Sequence, residues 1–533
     1  MPEAKGDRPA QRDPVRLALL AGSIGCLLLV GLAHPSVAAP PLGPVGWVPH
    51  LPDLPLRGWG VVAVQTLGYL LGGVALLRAL WRPSSLRAPW WVWPVLGGLV
   101  LLTVPYGTAD HTNYAAYGRI LLEGGDPWLT SPAGFGEDPV TSMVRPPWRD
   151  TPSVYGPVAT GLMGVAAAIG GESMRAVVWV WQVILVLAWL AARWVLVALT
   201  GRREVVDTWW SANPLVLGAG LFGAHVDLLA TAFVVGALAV GVRARGVGGS
   251  AAAGMLVGLA ASSKITAGVV GLALALPHLR RCLPKWRGSA SWVAATQLSA
   301  MVVAALAVMV PLHLWAGPHV FGQLLTATGG ISYASPWRAV YTLLDVVAAE
   351  PLARQAASLA SWVLVLALAA ALWRLLLTPF AVVGLAEGDR SSEVPRGSAD
   401  VGGDRSSEVP RGSAVAGVLL VLTAAYALGA AYVLPWYELP MWAAAAAWLG
   451  LTAGEGGARS RVARLALTAL VVRGTVLALG YVPGRVELPG DIETVTLGFR
   501  FVVVPLTTAV LWLVILRWAR SRSVPARRGP GAG

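Results

Sequence analysis

The chain has 533 residues, 56% of them hydrophobic and 13% charged, with a formal net charge of +13. Apolar runs long enough to cross about 30 Å of hydrocarbon recur along it, which excludes a soluble domain and makes it an all-α, polytopic integral membrane protein. Its arginines gather in short segments between those runs, as the positive-inside bias requires, so the positive charge does not point to nucleic acid.

In chain order, Arg12 and Arg16 precede an apolar run from Leu17 to Ala33 that ends in HPSVAAP. It is read as an uncleaved first span rather than a signal peptide. Cys26 within it and Cys282 in a basic loop are too few and too differently placed for a disulfide framework or a thiolate metal site. Further runs at 59–80, 90–106, 156–170, 175–199, 207–222, 226–242, 251–277, 291–315, 353–378, 414–434, 440–453, 464–481 and 499–518 bring the expectation to about 12–14 transmembrane helices in a single membrane domain, 1–533.

Charge then assigns sides. Arg82, Arg87, HLRRCLPKWR, Arg459, Arg461, Arg464 and the tail read as cytoplasmic, which puts 107–155, 316–350, 435–439 and 482–498 on the far side. Strict alternation would strand Arg202, Arg203, Arg243 and Arg245 outside. A tilted or re-entrant 156–170, and a break in 251–277 near Ser262, Ser263 and Lys264, restore the rule; irregular backbone at that depth itself marks a site. GDRSSEVPRGSA occurs at 388–399 and again at 403–414. Its polar, Pro- and Gly-containing composition makes 379–413 a flexible cytoplasmic loop, and 519–533 reads as a disordered cytoplasmic tail.

Residues 110–128 read DHTNYAAYGRILLEGGDPW, an unusually ionisable stretch just after an apolar run. Asp110 would sit at the outer edge of the bilayer, capping a helix that stops at Gly124 and Gly125. With Tyr114, Tyr117 and Leu121 on one face, that helix is expected to lie amphipathically on the membrane surface. His111 reads as its solvated neighbour, and Asp126 as the start of a turn before Pro127. Arg119, Arg145 and Arg149 offer guanidinium forks that suit phosphate oxygens beside a working carboxylate.

Four other places carry chemistry-bearing groups. His225 and Asp227 in GAHVD are ionisable groups between apolar runs, suited to a sugar or phosphate contact and too few for a metal site. Lys264 follows GLAASS, and His313 and His319 flank LWAGPHVFGQ. Trp436, Tyr437 and Glu438 in PWYELP lie at a far-side helix end, where aromatics either form an interfacial belt or stack on a sugar or polyprenyl chain. No Gly-rich phosphate loop or zinc spacing is present, which disfavours a soluble nucleotide-sugar donor.

The succession of a span, an acidic residue, YAAYGRILLEGGDPW, VYGP, ANPLVLGAGLFGAHVDLLA, GLAASSK and YVLPWYELP resembles the bacterial polyprenol-phosphate-mannose-dependent α-1,6-mannosyltransferases of the MptA and MptB type, within the GT-C superfold. The likeness runs over most of residues 60–480 and is strongest in 107–157. It implies a GT-C-like protein whose large extracytoplasmic loop, 107–155, carries the catalytic carboxylate, here Asp110. It also implies inverting transfer of mannose from a polyprenyl-phosphate mannose donor to a mannan or lipoglycan acceptor, forming α-1,6 linkages on the extracytoplasmic face of a plasma membrane. Substrate-binding candidates are Arg119, Arg145, Arg149, His225, Asp227, Lys264, His319, Trp436 and Tyr437. No cofactor is implied and a divalent metal is left open. The scarcity of lysine against abundant Ala, Gly, Val and Arg matches a GC-rich, actinobacterial-type source. The alternatives are transfer of arabinofuranose or glucose by the same fold, or a lipid or polysaccharide flippase or transporter. A transporter would hold its ionisable groups near mid-bilayer in repeat-related broken helices, not in surface loops.

Overall fold

A computed structural model describes residues 13–82, 84, 86–146, 148–243, 245–282, 289–322, 329–377, 409–453, 461–484 and 486–521. The duplicated GDRSSEVPRGSA motif, apart from the helical start at Val409, and most of the C-terminal tail lie outside the described residues. Among the described residues the protein is helical, with one isolated bridge, Ala33 to Leu54, and no strand.

The helices are α1 (Pro14–Gly31), α2 (Trp59–Trp81), α3 (Val92–Val100), α4 (Asp110–Leu122), α5 (Pro157–Gly170) and α6 (Met174–Thr200). After a broken stretch at 203–222 come α7 (Val226–Arg243), α8 (Gly246–Ser263), α9 (Val269–Cys282), α10 (Ser289–Ala316), α11 (Trp337–Asp345) and α12 (Glu350–Leu376). The chain ends in α13 (Val409–Gly429), α14 (Leu439–Thr452), α15 (Arg461–Leu479) and the composite α16 (Gly490–Ser521). Ten of these, among the described residues, are long and apolar enough to cross a membrane. The count is below 12–14 because several apolar runs break into shorter pieces. The run at 90–106 holds a nine-residue α3, and 207–222 divides at Asn213, whose side chain caps the turn that opens with Pro214.

Chain direction separates two ends. At one, Asp13 pairs with Arg78 at 2.5 Å, Arg16 reaches Ser84 O at 3.0 Å and also Thr208, and Arg464 lies over Trp81. The C-termini of α6 and α7 are joined there by Arg243 donating to Ala198 O. At the other end Tyr106 N–H donates to Phe222 O, Gly156 N–H to Ser263 O and Trp337 Nε1 to Gly429 O. Arg202, Arg203, Arg243, Arg245, Arg280 and Arg281 thus fall at one end, at the C-termini of α6, α7 and α9 or just after them. Two irregularities produce this, and both lie where charge asked for them. α5 begins beside Ser263 and ends against Val177 near the start of α6, so it does not cross the bundle. α8 stops at Ser263, Lys264 is extended, and a 3₁₀ turn at Ile265–Gly268 leads into α9.

Close approaches hold the bundle where small residues permit them. Gly254 and Gly258 of α8, four residues apart, lie against the carbonyls of Met301 and Ala305 of α10, the geometry that lets apolar helices gain dispersion contact without a hydrophobic driving force. α4 departs from its expected place. It is enclosed almost all round rather than lying on the surface: residues 110–118 and Ile120 are buried, and Gly118 seats it against α5. After Asp110, two tyrosines, two alanines and this glycine leave the helix no further charged side chain to keep in water before Arg119.

Even a methyl at Gly118 would meet Met163 O at 2.1 Å, whereas one at Gly161 on α5 meets nothing within 4 Å. Gly118→Ala should therefore cost about 1–3 kcal/mol, and Gly161→Ala should be neutral or slightly stabilising. Thermal unfolding of the detergent-solubilised chain checks both; equal melting temperatures would contradict the packing.

Candidate active site

α4 begins on Asp110 itself, so the carboxylate is the first helical residue and not the cap; Ala109 precedes it. The Thr108 hydroxyl donates to Asp110 Oδ1 at 2.7 Å and accepts the Asp110 N–H at 3.1 Å. The side chain is thereby turned inward, only 6% exposed, rather than offered to the membrane boundary as expected. Its Oδ2 lies 3.7 Å from His225 Nδ1. His225 enters from the turn before α7, where Ala224, despite its Cβ, takes φ +51, a left-handed strain of about 1–3 kcal/mol of the kind that clusters at functional sites. Trp181 Nε1 holds the Ala224 carbonyl at 3.0 Å.

Around this pair the polar groups continue. Tyr114 Oη is 3.3 Å from His225 Nδ1, and Tyr155 Oη donates to Tyr114 Oη at 3.4 Å. Burial, with the neighbouring Asp110 charge, pushes the Tyr114 phenol well above its usual range; burial and then Tyr114 and Asp110 do the same to Tyr155, so both stay hydroxyls. The His225 ring lies flat on Trp436, centroids 3.6 Å apart. His111 is not a solvated neighbour: it is fully buried, and that burial lowers its pKa to about 3, leaving the imidazole neutral.

The break after α8 supplies the cation. Lys264 Nζ contacts Asp227 Oδ1 at 2.6 Å and stands 3.6 Å from the Tyr437 ring centroid. Tyr155, Lys264 and Tyr437, with Ser361, Tyr426 and Tyr432, line a cavity of about 360 Å³. Asp110 lies behind this lining, next to Tyr114. A second, apolar cavity of about 510 Å³ runs alongside between Leu306, Val310, Leu314 and Phe321, and the two share Ile265. Beneath the aromatic turn Pro435–Glu438, Glu438 forms a fully buried ion pair with Arg473 of α15.

Of the residues singled out in the sequence, Asp110, His225, Asp227, Lys264, Trp436 and Tyr437 come together. The three loop arginines do not join them. Arg119 sits nine residues along α4, about 13 Å away, bound to Asp138 at 2.8 Å and Glu123 at 2.9 Å. Burial raises the Asp138 pKa, but the Arg119 hydrogen bond and the N–H groups of Thr141 and Val140 outweigh it and hold the carboxyl below its usual range. Arg145 and Arg149 are exposed in the loop, and His319 pairs at 2.7 Å with Asp126, whose other oxygen accepts the Trp128 N–H of the expected turn. Tyr155, Tyr426, Tyr432 and Arg473 join the site in addition to the residues expected from the sequence. A lone arginine inside the apolar run 464–481 was a readable signal; the tyrosines gave none. Among the described residues no group of three or more His, Cys, Asp or Glu side chains gathers as metal ligands do.

A polytopic helical membrane protein with a buried carboxylate, histidine and lysine at one end of its bundle is the class that fold and site define. Residues 19–280 match the family model described as alpha-(1->6)-mannopyranosyltransferase, N-terminal domain. It is 29% identical over 227 residues to alpha-(1->6)-mannopyranosyltransferase A of Mycobacterium tuberculosis, covering 42% of this chain and 41% of that protein. It is 27% identical over 274 residues to alpha-(1->6)-mannopyranosyltransferase B of Corynebacterium glutamicum, covering 48% and 44%. The matches thus span under half the length of these curated relatives. Among solved structures, ArnT from Cupriavidus metallidurans bound to undecaprenyl phosphate is similar with a TM-score of 0.42 and 16% identity, over 81% of this chain and 75% of that one. An Archaeoglobus fulgidus oligosaccharyltransferase follows at a TM-score of 0.32 and 15% identity, over 79% and 54%.

Glu438 and Arg473 are 2% exposed each, so removing one leaves the other charge uncompensated. Glu438→Gln should destabilise the chain by about 3–5 kcal/mol, while Glu438→Leu with Arg473→Met together should cost far less. Urea or thermal unfolding of the three proteins measures this; a double variant as unstable as the single would show that the pair itself is not the cause.

Proposed function

We propose that the chain is an inverting, GT-C-like mannosyltransferase that uses a polyprenyl-phosphate mannose donor and extends a mannan or lipoglycan acceptor through α-1,6 linkages. The observation that carries this reading is the meeting of Asp110 and His225 one layer behind a cavity that presents Lys264. A carboxylate and an ammonium are thereby held at the same end of the bundle, a few side chains apart.

In this mechanism the Asp110 carboxylate accepts the proton of the acceptor hydroxyl as its oxygen attacks the anomeric carbon. The bond from that carbon to the phosphate oxygen breaks, and its electron pair leaves on the lipid phosphate. Lys264 is the group that meets the departing charge, positioned by Asp227 and by the Tyr437 face, since a compact ammonium stabilises phosphate as a point charge. A phosphate leaving group needs no acid, so one carboxylate suffices, in contrast with the paired acids of hydrolases. The apolar cavity beside Ile265 suits the polyprenyl tail, and the aromatic lining at Trp436, Tyr437 and Tyr155 suits a sugar ring. The concentration of arginines at the opposite end supports an extracytoplasmic placement of the site, as proposed for a plasma-membrane enzyme.

Membranes carrying the chain, supplied with radiolabelled polyprenyl-phosphate mannose and a short α-1,6-mannoside, should transfer label. Asp110→Asn should lower kcat by about 10²–10⁴ with little change in KM, the contribution of a positioned base. Lys264→Met should reduce transfer as well, and Arg145→Gln should leave it within a few-fold. Transfer undiminished in Asp110→Asn would remove the carboxylate from the mechanism.

A further inference from the structure

The largest cavity among those described lies away from this site. About 590 Å³ in volume, it opens between the C-termini of α7 and α9, the start of α13 and the flank of α10. From Asp227 to Gly241 along α7 is fourteen residues, about 21 Å, so the cavity occupies the opposite end of the bundle. Its wall is of two kinds. Arg245, Arg280, Arg281, His278 and Gln297 supply hydrogen-bond donors, while Val242, Leu274, Leu276, Val415 and Val418 supply an apolar side.

Positive-inside bias accounts for arginines at this end but not for their convergence on a concave, half-apolar space. Arg280 is stacked over Trp373, 4.8 Å from the ring centroid, which fixes its guanidinium in place. The Nδ1 atom of His278 is buried and meets no hydrogen-bond partner among the described residues, a situation that native interiors rarely leave without a ligand or water. Among the described residues no carboxylate lines the cavity. A phosphate group with an attached hydrocarbon chain answers both halves of the wall: guanidiniums for the oxygens, valines and leucines for the chain.

We propose that this cavity is a binding site for the phosphate headgroup of an anionic membrane lipid, with an acyl chain along the Leu274, Leu276 and Val418 side. It is distinct from the donor site and independent of the transferase reading. Its position where the spanning helix α7 ends and α8 begins, beside an apolar wall, favours a lipid over a free phosphate.

Native mass spectrometry of the full chain in neutral detergent, titrated with phosphatidylglycerol, phosphatidylcholine or inorganic phosphate, tests it. Phosphatidylglycerol should be retained in preference to phosphatidylcholine by about tenfold or more, and millimolar inorganic phosphate should not displace it. Arg245→Gln with Arg281→Gln should abolish the preference, the same pair changed to Lys should keep most of it, and Arg461→Gln, at the same end but outside the cavity, should not change it. Equal retention of both lipids by the wild-type chain, or a preference unchanged in the double Gln variant, would overturn the proposal, as would binding of inorganic phosphate alone. Because the Lys variant keeps charge and volume, loss through misfolding separates from loss through charge.

Discussion

Charged groups inside a membrane bundle persist only when paired, because an unpaired ion in that setting costs several kcal/mol. The contact between Lys264 and Asp227 is where this constraint shapes the rest of the protein. To bring an ammonium to the carboxylate at the start of α7, the helix at 246–263 must stop, and the backbone at Lys264 must become extended before the next helix begins. The break opens the cavity that Tyr155, Tyr432 and Tyr437 line, and it supplies the carbonyl of Ser263 that fixes the start of α5. α5 in turn is the platform on which α4 is seated through Gly118, and α4 carries Asp110. Ion pair, helix break, cavity and carboxylate are one connected construction.

The second layer explains its rigidity. His225 is gripped between Trp436 on its face, Tyr114 at its ring nitrogen and the Asp110 oxygen at 3.7 Å. Trp436 itself rests on a turn anchored by the buried Glu438 and Arg473 pair. A network of this kind holds geometry better than it adds stability: breaking one member is expensive, while the intact set roughly balances its own desolvation. Supporting a reactive carboxylate with locked neighbours is what a site needs when its work is positioning and charge stabilisation.

Much of this could be read from the sequence, for identifiable reasons. The spanning class followed from apolar runs, and the irregular 156–170 and the break at Ser262–Lys264 followed from arginines that straight spans would have stranded on the wrong side. The convergence of Asp110, His225, Asp227, Lys264, Trp436 and Tyr437 was approachable because each is a polar or aromatic group at the end of an apolar run, and such ends meet. The placement of α4 was not legible. Its tyrosines and alanines pattern as a half-buried surface helix, and only the fit of Gly118 on the Met163 carbonyl, a long-range contact, encloses it. For the same reason His111 reads as solvated although it is buried. The loop arginines misled in the opposite way: guanidiniums suit phosphate, but Arg119 had a nearer carboxylate in Asp138, a partner nineteen residues away whose approach depends on the loop's path.

In the proposed mechanism Lys264 and Asp110 face the two sides of one lipid-linked sugar. A structure of the full chain with a non-transferable phosphonate analogue of polyprenyl-phosphate mannose measures this most directly. A phosphonate oxygen is expected within about 3.2 Å of Lys264 Nζ, with the anomeric carbon turned toward the Asp110 carboxylate. A phosphonate bound at the arginine-rich end, or one at Lys264 with its sugar pointing away from Asp110 and Tyr114, would contradict it.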